Sequence, residues 1–278
     1  MRGSGGRRAL RAPAEGGTPA AAAAAAVAVF DGPSGLFEAA AEEVARIVVD
    51  AVARRGQCAI ALSGGSTPRA LYARLAERTA ARRTPRIPWR SVAVFWSDER
   101  AVPPDDPRSN FRMAHEALLS RVPVRARAIH RVYGEIGAAH AAVVYDATIR
   151  AALGAPAARN AAVPRATPRF DLVLLGVGPD GHTASLFPGG AFDPSDPRIA
   201  APAVSPAVPR DRVTLTLHTI NAARVVLFVV AGVEKAEIVA RAVGTPRADL
   251  PASLVAPGRG RVVWLVDRAA AAQLSGTR

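Results

Sequence analysis

Short apolar runs punctuate the chain at wide intervals. The clearest are "CAIAL" (Cys58 to Leu62), "VAVFWS" (Val92 to Ser97), "FDLVLLGVG" (Phe170 to Gly178), "RVVLFVVAG" (Arg224 to Gly232) and "RVVWLVD" (Arg261 to Asp267). None alternates between apolar and polar positions, so each reads as a strand buried on both faces. "AVAVF" (Ala26 to Phe30) reads as a shorter strand, and "RVTLTL" (Arg212 to Leu217) as one with period-two alternation. Between them the period lengthens. Leu36, Phe37, Ala40, Val44, Ile47, Val48, Ala51 and Val52 fall on one helical face, behind a Ser34 placed to cap it. Further helices are predicted near 68–82, up to about 119, over 138–152 and over 234–242, with loops at 98–110, 155–168 and 191–209.

Strands that alternate with helices imply an α/β fold with a mostly parallel sheet and helices on both faces. There is no internal repeat and no clear internal linker, so residues 27–278 read as a single domain. Residues 1–26 are rich in Gly, Arg and Ala. They faintly imitate a targeting segment but lack a strongly apolar centre, and they read as a disordered tail.

Composition sharpens this in two places. The 278 residues carry 36 basic and 23 acidic side chains, a formal charge of +13. That balance could suit nucleic acid or a membrane surface. However, the charge is scattered and nearly all arginine, no nucleic-acid motif accompanies it, and no apolar run reaches membrane-spanning length. Neither partner is expected. The basic set also contains one lysine, Lys235. A lysine that survives among arginines suggests a task for a compact point charge rather than a planar fork. Cys58 is the sole cysteine and lies in an apolar run. It reads as core, permits no disulfide within the chain, and fits a reducing compartment, hence a cytoplasmic protein.

Ligands of open α/β sheets bind beyond the carboxyl ends of the strands. Four such ends carry chemistry. After "CAIAL", the residues Ser63, Gly64, Gly65, Ser66 and Thr67 lead into a helix. This is either an anion cradle at a helix N-terminus or a Gly-rich turn with a Ser/Thr cap. After "VAVFWS" stand Asp98, Glu99 and Arg100, either site charges or a solvated loop. After "FDLVLLGVG" come Asp180 and His182, separated by Gly181. A carboxylate so placed can orient one imidazole nitrogen and leave the other free as a base. The other histidines show no ligand spacing to His182, so no metal is expected. After "RVVLFVVAG" comes Lys235 at a helix start, where a cation opposes the helix dipole unless an anion is bound. Arg212 is a candidate second cation.

The motifs "LSGGSTP", "SDERAVPPDDPRSN", "GVGPDGHTASLFP" and "AGVEKA", in this order, resemble those of the 6-phosphogluconolactonase family, over about Val27 to Val266. The resemblance implies a three-layer α/β/α sandwich with a Rossmann-like sheet, shared with glucosamine-6-phosphate deaminases. It also implies hydrolysis of 6-phospho-D-glucono-1,5-lactone without a cofactor. The alternatives on this fold are a deaminase-like aldose–ketose isomerase and a non-catalytic sugar-phosphate sensor. The deaminases carry a Glu five residues after the His, where this chain has Phe187. Where they have an aromatic or hydroxyl residue after Asp-Glu, this chain has Arg100. Both departures favour the lactonase.

Under that resemblance His182 is the expected general base and Asp180 its support. Gly64, Gly65, Ser66 and Thr67, with Lys235 and Arg212, are expected to hold the phosphate. Asp98 and Arg100 are expected to position the sugar hydroxyls and nascent carboxylate. Backbone N–H groups near Gly181 are the expected oxyanion donors. The partner is a small sugar phosphate, and the expected state is a monomer or weak homo-oligomer.

Overall fold

The computed structural model describes residues 26–154, 167–190 and 192–274. The expected tail lies outside these residues except for Ala26, as does most of the expected 155–168 loop. The chain runs through β1 (Ala26–Phe30), α1 (Pro33–Arg55), β2 (Cys58–Leu62), α2 (Ser66–Ala80), β3 (Val92–Trp96), β4 (Asp98–Arg100), α3 (Asn110–Ala117), α4 (Ala138–Leu153) and β5 (Leu172–Leu175). It continues through β6 (Ala200–Val204), β7 (Asp211–Leu215), α5 (Leu217–Ala222), β8 (Val225–Val230), α6 (Ala236–Val243) and β9 (Arg261–Asp267).

Six strands form one sheet in the order β1-β9-β8-β5-β2-β3, with every pairing parallel. The interior strands β2, β5 and β8 are buried at every position, as their unbroken apolar runs predict. Successive residues feed opposite cores. Ile60, Leu62, Leu172 and Leu174 join α1, α2 and α3 on one face. Ala59, Ala61, Val173 and Leu175 join α4 and α6 on the other. This is the expected three-layer α/β/α arrangement. From β2 the chain passes outward to β3, then returns to place β5 on the other flank of β2. The order therefore reverses between β2 and β5, and a crevice opens at such a switch point beyond the carboxyl ends.

Helix α1 shows how sequence fixes an element. Leu36, Ala40, Val44, Ile47, Val48 and Ala51 are buried along one stripe. Gly56 then stops the helix in the left-handed region at φ 76°, its N–H closing on Val52 O at 2.8 Å. The N-cap is Gly32 rather than Ser34, because Pro33 already supplies the first helical residue.

A second, three-stranded antiparallel sheet, β4-β7-β6, corrects three expectations. Asp98–Arg100 is strand β4 rather than loop: it leaves β3 after one residue and pairs with β7. Ala200–Val204 is strand β6 within the stretch expected to be loop. Its Pro202 is tolerated because β6 is an edge strand, where a missing N–H is harmless. The "RVTLTL" strand is real, begins at Asp211, and belongs to this small sheet rather than the parallel one. Among the described residues, no helix is long and apolar enough to cross a membrane.

Candidate active site at the carboxyl edge of the sheet

The turn after β5 is built around missing side chains. Gly181 takes φ 87°, and a Cβ there would collide with Leu250. At Gly178 a Cβ would overlap both the His182 ring and the Asp180 carboxylate. The imidazole therefore lies against bare backbone. The turn is closed by Gly178 N–H donating to His182 O at 2.8 Å and Gly181 N–H donating to Gly178 O at 3.0 Å.

Inside it, Asp180 Oδ1 stands 2.6 Å from His182 Nδ1 and accepts the His182 backbone N–H at 3.2 Å. Burial opposes ionisation of Asp180, but these two bonds and the imidazole outweigh it and hold the carboxyl below its ordinary value. An ionised Asp180 accepts from Nδ1–H, which leaves Nε2 as the unprotonated nitrogen. The Phe187 ring packs against the other side of the imidazole, 4.8 Å between centroids. The Gly181 and His182 N–H groups are spent inside the turn. An oxyanion donor among the backbone N–H groups near Gly181 would therefore be another than these two.

The loop after β2 faces this turn. Gly65 takes φ 110° and caps α2 without offering a side-chain acceptor, so the first N–H groups of α2 are open to a ligand. Helix α2 starts at Ser66, two residues earlier than expected, which puts Ser66 and Thr67 in its first turn. The Tyr72 hydroxyl anchors the loop, accepting from Ser63 N–H at 2.8 Å and donating to Ser63 O at 2.9 Å. Ser63 Oγ is buried and has no hydrogen-bond partner. A Cβ on Gly64 would overlap the Asn110 amide. Gly64 is thus required for close approach to α3.

Strand β4 supplies the third wall. Asp98 Oδ2 accepts from Ser185 Oγ at 2.7 Å, while Asp98 O accepts from Asn110 Nδ2 at 2.9 Å. Glu99 points away from the cleft and caps α3. Its carboxylate accepts from the N–H groups of Asn110 and Phe111, both at 2.7 Å, and from Arg100 N–H at 2.8 Å. Burial pushes this carboxyl up, opposed by those bonds. Arg100 donates to Arg108 O through Nη1, and its buried Nε has no partner. Arg212 pairs directly opposite Arg100 across β4 and β7. It is 7% exposed, its Nε likewise lacks a partner, and burial and then Arg100 lower its pKa. Two guanidinium groups side by side, the Arg212 one buried, favour a nearby anion.

At the fourth strand end, Gly232 at φ 105° turns the chain into a single 3-10 turn, Val233–Lys235, and α6 follows. Lys235 is half-buried and faces the cleft.

These walls enclose an open cleft of about 270 Å³. Gly64, Gly65, Ser66, Thr67, Asp98, Arg100, His182 and Lys235 all line it. Asp180 stands behind His182, and Arg212 lies behind Arg100 rather than on the wall. Ser63, read from the sequence as part of the loop after β2, lines it too, as does Asn110, which was not singled out. A polar residue opening α3 carries no sign that it meets a glycine 46 positions earlier.

The model for the family described as glucosamine-6-phosphate isomerases/6-phosphogluconolactonase matches residues 31–264. A 6-phosphogluconolactonase of Streptomyces coelicolor is 39% identical over 246 residues, covering 86% of this chain and 90% of the relative. One of Mycobacterium leprae is 36% identical, covering 91% and 99%. The solved 6-phosphogluconolactonase of Trypanosoma cruzi superposes with a TM-score of 0.76 at 30% identity, covering 90% of this chain and 97% of that one. A solved glucosamine-6-phosphate deaminase shares the fold, at a TM-score of 0.73 and 20% identity. With its sheet, its four loops and these likenesses in agreement, the chain belongs to the glucosamine-6-phosphate isomerase/6-phosphogluconolactonase family.

Proposed function

We propose that the cleft hydrolyses 6-phospho-D-glucono-1,5-lactone to 6-phospho-D-gluconate, the lactone-opening step of the oxidative pentose phosphate pathway, with His182 as general base. The observation that carries this reading is the 2.6 Å Asp180–His182 couple, set across one cleft from a helix N-terminus and Lys235.

A lactone carbonyl is already electrophilic, so the site needs only to activate water and stabilise charge. Nε2 of His182 removes a proton from water as its oxygen attacks the carbonyl carbon. The tetrahedral intermediate collapses, the ring C–O bond breaks, and the imidazolium returns the proton to the departing ring oxygen. The Asp180 carboxylate favours the imidazolium between these steps. Such a base contributes about 10²–10⁴-fold in rate.

The phosphate is held by the N–H groups and hydroxyls of Ser66 and Thr67, by the bare backbone of Gly64 and Gly65, and by Lys235. Arg100 meets the sugar hydroxyls and the forming carboxylate, with Arg212 behind it adding positive potential. Asp98 gives one oxygen to Ser185, and the other, which takes only a long bond of 3.4 Å from Ser97 Oγ, meets a sugar hydroxyl. The protein acts in the cytoplasm, a reading supported by its lone buried Cys58, and as a monomer or weak homo-oligomer.

The test is hydrolysis of freshly generated lactone, with spontaneous opening subtracted. Acceleration that is lost in His182→Ala supports the reading, and a rate equal to the buffer blank overturns it.

A further inference from the structure

The opposite edge of the parallel sheet, far from the cleft, gathers a second set of charges. There α1 ends and β5, β8 and β9 begin. A pocket of about 200 Å³ opens between them, lined by Arg46, Arg54, Arg55, Arg224 and Arg261 against only two carboxylates, Asp50 and Asp171.

Helix-end electrostatics explains part of this. Arg54 and Arg55 close α1 and complement its C-terminal dipole. Local pairing explains another part, since Arg54 bonds Asp50 at 2.7 Å. The remainder is crowded. One oxygen of Asp171 serves both Arg55, at 2.7 Å, and Arg224, at 3.2 Å. One oxygen of Glu43 serves both Arg46, at 2.6 Å, and Arg261, at 3.1 Å. The other Asp171 oxygen is taken by Ala59 N–H at 2.8 Å. Arg224 Nε lies near Asp171 but is misaligned, so this buried N–H has no hydrogen-bond acceptor. Next to the pocket, Arg169 has its pKa lowered by burial and then by Arg224, Arg259 and Arg55. Five guanidinium groups around one opening thus share three carboxylates, two of which serve two arginines each. Guanidinium forks recognise phosphate oxygens in pairs, and several forks around one opening suit a chain of phosphates.

We propose that this pocket binds a linear oligophosphate anion, held between Arg55, Arg224 and Arg261, as a second site separate from the cleft. With Glu43 counted beside Asp50 and Asp171, five guanidinium groups meet three carboxylates, an excess of positive charge that an oligophosphate would offset. Its source is either a free polyphosphate or the tail of a nucleoside triphosphate, which present the same oxygens to the same forks.

The experiment is calorimetric titration of the full chain carrying Lys235→Ala, which weakens phosphate binding in the cleft. Tripolyphosphate, ATP and AMP are compared at about 100 mM salt, where exposed charges more than about 10 Å apart are screened. The expected result is 1:1 binding of tripolyphosphate and of ATP, with AMP at least about tenfold weaker. Equal affinity for the first two assigns the tail alone, whereas tighter ATP assigns a nucleotide. Arg224→Gln and Arg261→Gln, made separately, should each weaken binding about tenfold or more by removing charge-assisted bonds. In the otherwise native chain they should leave lactone hydrolysis unchanged. Arg261 is surface-exposed, so its variant remains informative if Arg224→Gln loosens the buried Asp171. Absence of tripolyphosphate binding, or binding unaffected by both variants, overturns the proposal. A response to duplex DNA alone overturns it as well.

Discussion

The Phe187 ring packs against the His182 ring at 4.8 Å between centroids, their planes inclined at 44°. Phe187 is 9% exposed, so it closes one side of the imidazole from water. It also occupies the position at which the deaminases of this fold carry a glutamate, so no acid stands there to open an amino sugar. Glucosamine 6-phosphate should therefore release no ammonia above background when lactone hydrolysis is readily measured. Deamination at a comparable rate would reverse the assignment.

Removing the base should act on the chemical step. His182→Ala is expected to lower kcat by about 10²–10⁴-fold with KM little changed. Steady-state kinetics on a variant with unaltered Tm decides this, and an unchanged kcat would take His182 out of the mechanism.

The bare backbone under the imidazole makes Gly178 as consequential as His182. An alanine there would drive its Cβ into both ring and carboxylate. Gly178→Ala should thus lose activity on the scale of the His182 variant, because a misplaced base loses its alignment. Gly258→Ala, with open space around the new methyl, is the control. Normal kcat in Gly178→Ala would show that the ring sits elsewhere during turnover.

Asp180 gives a pH signature. Its carboxyl is held below the ordinary value of about 3.9, so the folded state binds this proton more weakly than the unfolded chain does. The resulting stability is complete above the ordinary value and is lost as pH falls through the folded-state value. Asp180→Asn should lower Tm at neutral pH, and the gap to the native chain should close in acid. A gap that widens in acid would contradict the sign.

Lys235 separates phosphate binding from chemistry. Lys235→Ala should raise KM for the phosphorylated lactone about 10–150-fold, the loss of one charge-assisted contact of about 1.5–3 kcal/mol. Unphosphorylated gluconolactone should be affected little. Lys235→Arg should recover part of the loss. Equal losses on both lactones would move Lys235 from binding to catalysis.

Glu99 should matter for stability rather than turnover. Glu99→Ala orphans the N–H groups of Asn110 and Phe111, each worth about 1–3 kcal/mol when buried. A clear fall in Tm is expected, against little change in the exposed Glu42→Ala. An unchanged Tm would mean that water replaces the carboxylate.

How much of this was legible follows from what each element demands of its residues. Strands β2, β5 and β8 are buried on both faces and must be apolar throughout, so their runs announced them. Strand β4 is three charged residues held by pairing with β7, and β6 is an edge strand with a proline; neither needs a pattern. The Asp180–His182 couple is local, two residues apart, and could be read directly. Asn110 against Gly64, and Arg212 behind Arg100, are tertiary contacts with no local trace.

Only Ser97 separates β3 from β4, and it is pinned on both sides, donating to Leu62 O and accepting from Leu215 N–H, each at 2.7 Å. The large sheet thus hands the chain to the small one through a corner with no slack. Asp98 then reaches Ser185 in the turn that carries His182. The distance from Arg100 to the imidazole is therefore set by rigid joinery rather than by a loop. One residue added at Ser97 would turn Asp98 and Arg100 together to the other face of β4 and dismantle that wall of the cleft.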